Sequence, residues 1–403
     1  MDQLVKAGRS GLAGNPRIAI IHYWYVLRRG GERVADELLR LFPEADFYVM
    51  FHKPEALSEV VKSRRVTTSY LQKVPGIARI YKNLMPLFPL ALEQFQLDDY
   101  DLVISHEAGP TKGVLTRPHT RHICYTHTPM RYVWDMYHRY RDEAPFGAFG
   151  RGFYALSSHY LRQWDLAAAA RVDHFVASSF NGASRVRKYY RREADVIYPP
   201  VDVMTFEVSS RVDDFYLMVS PLVSYKRVDL AVEACNRLKR RLVVIGRGSE
   251  LPALRRLAGP TIEFLGFQTD AVVRDHLGRC RALLFPGEED IGLTPIEAQA
   301  SGRPVIAYGK GGALETVIGF FPENAQEPES STGVFFAEPT PESLVEAIRT
   351  FESVESRFSS AFMRAQAERF DVSRFRTEMF TWISQKMAGF ERGTAPARDL
   401  VGV

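Results

Sequence analysis

The sequence predicts an α/β protein of two doubly wound parallel-sheet domains facing each other across a cleft. Three observations carry this. The chain has 403 residues, beyond the roughly 250–300 at which a single core stops growing. Short apolar runs alternate with segments of helical period along most of its length. The alternation breaks at YPPVDV (Tyr198–Val203) and then restarts, where paired prolines stiffen an extended connection.

The elements follow in order. RIAIIHYWY (Arg17–Tyr25) is an apolar, β-rich run, and RRGGERVADELLRLF after it places Val34, Leu38 and Leu41 at helical spacing. This reads as strand, glycine turn, helix. DLVISHE, RHICYTHT and HFVASSF are short apolar runs that end in polar residues, as buried parallel strands with functional loops at their carboxyl ends do. After the prolines come FYLMVSP, a helix with Val228, Ala231, Val232, Cys235 and Leu238 on one face, then RLVVIGRG, TIEFLGF, RALLFPG and RPVIAYGKGG. The expected boundaries are a loose arm over 1–16, a first domain over 17–198, a linker over 199–204 and a second domain over 205–373. RFRTEMFTWISQKM opens a helix over 374–392 expected to pack back on the first domain, and 393–403 is a tail.

Composition narrows the class. The chain is 46% hydrophobic and 25% charged, as soluble globular proteins are. Cys124, Cys235 and Cys280 are too scattered for a disulfide framework or a closed zinc site, which suggests a reducing, cytoplasmic compartment. MDQLVKAGRSGLAGNP lacks an apolar signal-peptide core, and no window offers the ~18 apolar residues of a spanning helix. A net charge of +4 is too mild to argue for nucleic acid. Basic clusters at Arg28 and Arg29, Lys62–Arg65, Arg79 with Lys82, and Arg185–Arg192 gather in the first half; they read equally as a surface for anionic lipid and as solvated helix faces.

FPGEEDIGLTPIEAQASGRPVIA (Phe285–Ala307) carries the chemistry. It holds Glu289 in the loop after a strand, where ligands bind in open α/β sheets, and Glu297 in the helix that follows. Thr294, Pro295 and Glu297 suit the N-cap, first and third helical positions, a capping box in which Glu297 only satisfies a backbone amide. That reading leaves Glu289, Gly292 and the amides of Gly292 and Leu293 unexplained. A glycine at a helix N-terminus brings amides and the positive end of the dipole to a phosphate. Two carboxylates beside a phosphate make sense as acceptors for sugar and ribose hydroxyls, hence a nucleotide-diphosphate sugar.

E-x7-E written as EEDIGLTPIE, followed by AQASGRPVIAYGKGGALETV, closely resembles the donor signature of glycosyltransferase family 4, retaining enzymes of the GT-B fold with two Rossmann-like domains. SYKRVDLAVEA, VVIGRGSELPALR, IEFLGF, YTHTPMRYVWD and GGERV fall in the family's order, so the resemblance covers nearly the whole chain. HTPMRYVWD and YKRVDLAVEA look most like bacterial mannosyltransferases of surface-polysaccharide assembly.

The resemblance implies roles. Glu289 matches the glutamate that contacts the donor sugar, Glu297 the one used on the ribose, and Lys226 the lysine that pairs with the diphosphate, a point charge for a leaving group. His127 matches the histidine that reaches the donor sugar; its rival readings are a core histidine or, with Cys124, a partial metal site. Gly30 and Gly31 match the glycine loop under the phosphates, with a plain turn as rival. Gly292, Leu293 and Thr294 bring the helix-start amides, and Gly246, Arg247 and Phe267 the strand-end loops at the nucleotide. The chain departs from the family at Pro221, where many relatives carry a diphosphate-binding arginine; Arg227, Arg247 or the amides near Gly292 are candidate replacements.

The expected reaction is transfer, with retention, of a sugar from a GDP- or UDP-sugar, GDP-mannose first, to a free or lipid-linked glycan such as one on polyprenyl diphosphate. No cofactor and no metal are expected: Asp99-Tyr-Asp101 precedes its strand instead of following it. RIYKNLMPLFPLALEQFQL (Arg79–Leu97) and GAFGRGFYALSSHYLRQW are either core or an exposed face for an anionic membrane. The rivals are a sugar-nucleotide 2-epimerase, which needs no acceptor, and a non-catalytic sugar-nucleotide-binding subunit, suggested by Pro221.

Overall fold

The computed structural model describes residues 15–28, 30–144, 147–320 and 327–388. Residues 1–14 of the expected arm, Arg29, and residues 389–403, which include the end of the expected last helix and the tail, lie outside the described residues.

The chain forms two compact units. In the first, β1 (Ile18–Tyr25), β2 (Asp46–His52), β3 (Val66–Thr68), β4 (Leu102–Glu107), β5 (Arg121–Thr126), β6 (His174–Ala177) and β7 (Ala194–Val196) make a parallel sheet in the order β3-β2-β1-β4-β5-β6-β7. The period of two explains the apolar run of β1. Ile18 and Ile20 join one core cluster while Ala19 and Ile21 join another, because a sheet covered on both faces buries every side chain.

The second unit repeats the plan with β8 (Tyr216–Val219), β9 (Leu242–Ile245), β10 (Ile262–Gly266), β11 (Leu283–Phe285), β12 (Val305–Tyr308), β13 (Gly319–Phe320) and β14 (Gly333–Phe336), ordered β10-β9-β8-β11-β12-β14-β13 and parallel throughout. Strand order reverses between β1 and β4 in one unit and between β8 and β11 in the other, the places where such sheets open a ligand crevice at their carboxyl ends.

Pro199 and Pro200 group with the second unit, and the helix at the carboxyl end runs Val372–Met387. From Phe375 it belongs to the first unit, where Phe375, Met379, Trp382 and Ile383 are core, Trp382 Nε1 donates to Asp195 at 2.7 Å and Arg376 Nε donates to Glu37 at 2.7 Å.

Two expectations are corrected, and the basic clusters divide. Gly30 and Gly31 are not a turn but the first residues of the helix Gly30–Leu41; a Cβ at Gly31 would stand 2.6 Å from the Tyr23 hydroxyl. The helix after β11 starts at Leu293 with Gly292 as N-cap at φ 76°, so Glu297 is its fifth residue and no capping box forms. Three arginines of the basic clusters are engaged inside the first unit, while Lys62, Arg65, Arg79, Lys82, Arg187 and Lys188 stay exposed. Arg185 pairs with Asp135 at 3.4 Å, Arg192 donates to the carbonyls of Ala169, Val172 and Asp173, and Arg64 donates to those of Leu39, Pro43 and Val60.

Candidate active site

In the second unit the loops after β8 and β11 meet at the point where strand order reverses. The β8 loop runs through Pro221 into the turn Ser224–Lys226. Gly246 and Gly248 hold it from the side, since a Cβ on either would fall 1.8 Å from the Ser220 carbonyl oxygen or 2.1 Å from that of Leu222. Gly246 thus serves close backbone packing. At Gly287 a Cβ would lie 3.0 Å from the Lys226 Cα, so the β11 loop rests directly on the β8 loop.

This contact joins Lys226 to Glu289 in an ion pair, with side chains only 12% and 20% exposed. The Glu289 backbone is fixed as well. Its carbonyl accepts from Gly312 N at 2.8 Å, and Gly311, at φ 64°, leaves no room for a Cβ, which would stand 2.7 Å from the same oxygen. Gly292 packs under the Phe285 ring, where a Cβ would meet Cζ at 2.7 Å, and opens the eight-residue helix Leu293–Ala300. Its first amides, including those of Leu293 and Thr294, lack intrahelical acceptors and carry the positive end of the dipole. Glu297 is half-buried on the same helix.

The two arginines behave differently. Arg227 adopts the left-handed conformation, φ 52°, which costs a non-glycine residue roughly 1–2 kcal/mol. Its guanidinium is committed to Asp229 at 3.0–3.2 Å and to the Pro339 carbonyl at 3.3 Å. Arg247 is exposed, its carbonyl accepts from Leu222 N at 3.0 Å, and its Nε lies 3.7 Å from where a Gly266 Cβ would be. Phe267 follows, 65% exposed.

In the first unit His127 follows β5, half-buried. Its amide donates to the Glu107 carbonyl at 2.7 Å, and its Nε2 bonds His106 Nε2 at 2.9 Å. Beside it lies a charged cluster that no motif announces. Lys112, fully buried, reaches Glu107 at 3.1 Å, Asp165 at 2.5 Å and the Gly109 carbonyl at 3.3 Å. Asp165 accepts in turn from Trp134 Nε1 and the Tyr190 hydroxyl, each at 2.8 Å. Burial pushes the Glu107 carboxyl up, while Asp165 and Glu107 outweigh burial to hold Lys112 above its ordinary value. HTPMRYVWD is thus anchored through Trp134 and through Met130 and Val133, both buried. Cys124 is buried, and among the described residues no three His, Cys, Asp or Glu side chains gather to hold a metal ion. Asp101 accepts from Arg17 N at 2.8 Å in the turn leading into β4, and Asp99 lies 3.5 Å from the Arg17 guanidinium.

The family model described as Glycosyltransferase Family 4 matches residues 28–204, and that described as Glycosyl transferases group 1 matches residues 207–368. The chain belongs to glycosyltransferase family 4. This family 4 enzyme is 22% identical to mouse alpha-1,3/1,6-mannosyltransferase ALG2 over 330 residues, 72% of this chain and 74% of that protein. It is 26% identical to the Escherichia coli O-antigen chain mannosyltransferase C over 242 residues, 54% of this chain and 59% of the other. The fold is that of Anabaena HepE in complex with UDP (TM-score 0.63, 15% identity, 92% and 100% of the two chains) and of sucrose-phosphate synthase from Thermosynechococcus elongatus (TM-score 0.68, 15% identity, 92% and 100%). That is GT-B.

Proposed function

We propose that this glycosyltransferase moves mannose from GDP-mannose, with retention of anomeric configuration and without a metal ion, onto a glycan acceptor carried on polyprenyl diphosphate. The observation that carries the catalytic part is the Lys226–Glu289 pair where strand order reverses. A lysine has three donors, so Lys226 keeps capacity for a diphosphate while Glu289 accepts from sugar hydroxyls. With Pro221 in place of the arginine expected there, Arg247 supplies the second positive charge; Arg227 is already engaged. The helix-start amides at Leu293 and Thr294 and the dipole behind them complete the neutralisation.

In the reaction the bond from the anomeric carbon to the diphosphate oxygen breaks, and the acceptor oxygen bonds that carbon from the same face. The acceptor proton passes to the departing phosphate. Lys226 and Arg247 stabilise the charge that develops on the leaving group, His127 holds the donor sugar, and Glu297 holds the ribose.

The mannose assignment draws on the two relatives named as mannosyltransferases. A UDP-sugar donor is the second reading, favoured by the HepE structures with UDP and UDP-glucose. Calorimetric titration with each nucleotide sugar, repeated on Glu297→Ala, decides between them. Selective GDP-mannose binding weakened by the substitution is expected, and selective UDP-glucose binding overturns the mannose assignment. Turnover that stops in excess EDTA and returns with Mg²⁺ overturns metal independence.

For the acceptor side, the helix Gly147–Ala170 presents Phe149, Phe153, Leu156 and Tyr160 along one stripe, 46% to 80% exposed. It packs against the segment Tyr81–Leu87, and Lys82, Arg79 and Arg151 are exposed nearby in sequence. An apolar stripe with basic neighbours suits the surface of an anionic membrane. No helix among the described residues is long and apolar enough to cross a membrane; the attachment proposed is peripheral, on the cytoplasmic face. Absence of sedimentation with anionic vesicles refutes it.

A further inference from the structure

Three imidazoles of the first unit form one hydrogen-bonded chain. His22 and His106 lie opposite each other in the register of β1 and β4, with Nδ1 3.0 Å from Nδ1. Their planes differ by 7° with ring centres 5.0 Å apart, too far for face-to-face contact and suited to an in-plane bond. His106 continues through Nε2 to His127 Nε2 at 2.9 Å. His22 and His106 are fully buried, and His127 is half-buried. Burial, then the neighbouring His127, push His22 down to about 3 against a smaller opposing pull from the His106 and Trp24 backbones, and burial takes His127 to about 4. His106 lies well below its ordinary value for the same reasons, burial first. All three rings are therefore neutral at pH 7.

A neutral imidazole has one N–H and one bare nitrogen. His106 is bonded through both, so it donates at one and accepts at the other, and the three protons must run in one direction. In one setting His22 donates from Nδ1, His106 donates from Nε2, and His127 keeps its proton on Nδ1. In the reverse setting His127 donates from Nε2 and His22 holds its proton on its own Nε2. That His22 nitrogen is buried with no hydrogen-bond partner. The reverse setting strands an N–H there; the first setting puts every N–H of His22 and His106 in a bond.

We infer that His22 and His106 are positioning residues that fix His127 in its Nδ1–H tautomer, so that Nδ1 is the atom it offers as a donor to a sugar hydroxyl. The hydroxyl contact rests on the function proposed above; the tautomer does not. His127 makes no hydrogen bond through Nδ1 among the described residues, which leaves that N–H available.

The test is a two-bond ¹H–¹⁵N correlation spectrum of the full-length protein labelled at histidine, at pH 7.5 without nucleotide, with His127 assigned from His127→Ala. A protonated Nδ1 and bare Nε2 on His127 are expected; a protonated Nε2, or both forms in exchange, overturns the inference. In His22→Phe, which removes the donor to His106, both tautomers of His127 are expected, and an unchanged His127 signal overturns the assignment of His22. If that variant does not fold, the wild-type spectrum alone still decides the tautomer. The donor contact is judged apart: wild-type turnover of GDP-mannose by His127→Ala removes that reading and leaves the tautomer standing.

Discussion

The two units share a strand order and a point of reversal, and they load it with opposite electrostatics. At the carboxyl ends of β1, β4 and β5 the first unit places neutral histidines and a sealed lysine–carboxylate cluster. At the ends of β8 and β11 the second places Lys226 and Glu289, partly accessible, and after β9 an arginine in the open, Arg247. A doubly wound sheet therefore dictates where a ligand meets protein without dictating what charge it meets. Neutral N–H groups suit hydroxyls, and accessible cations suit a diphosphate.

The comparison breaks most severely at the sealed cluster. Lys112→Met leaves Glu107 and Asp165 buried without their cation, so a loss of about 3–5 kcal/mol is expected in urea unfolding. Lys226→Ala, in the accessible cluster, should leave the melting temperature nearly unchanged while lowering kcat by about 10²–10³, read as nucleotide release. An Arg247→Ala variant should lose about tenfold in kcat/KM, roughly the 1.4 kcal/mol of one partly solvated charge contact, whereas Arg227→Ala should lose less activity and more stability.

Acid sharpens the contrast. His22 and His122 are lowered by burial to about 3, and His127 to about 4, from an ordinary 6.5. The unfolded chain thus takes up protons first as pH falls. The stabilisation is full above pH 6.5 and is lost progressively toward those lower values. These residues all lie in the first unit, so hydrogen-exchange protection factors, corrected for the intrinsic rate at each pH, should fall from pH 7.5 to pH 4.5 more there than in the second. The smallest effect concerns the stripe on Gly147–Ala170: Phe153→Ser with Leu156→Ser should reduce vesicle sedimentation with little change in turnover of a soluble acceptor.

The strands were legible because a parallel strand buried on both faces is written as a near-continuous apolar run, as Ile18–Tyr25, interrupted by His22, and Leu242–Ile245 are. Motif resemblance singled out Lys226, Glu289 and His127, and the structure brings the first two into an ion pair. The helix start at Leu293 was not: Thr294 and Glu297 imitate a capping box, but Gly292 packed under Phe285 takes the cap. Nothing in the local sequence singles out His22 or His106, since their meeting depends on a register between strands about eighty positions apart. Lys112 and Asp165 stand in unremarkable local sequence, and only tertiary closure makes them partners.

The glycine pair at 311–312 ties Glu289 to the segment after β12, not to its own strand alone. The carboxylate is thereby gauged by two spans of chain at once. One residue inserted between Tyr308 and Gly311 would displace it without touching the loop that bears it, so length variation here should be tolerated far less than in the surface turns of either sheet.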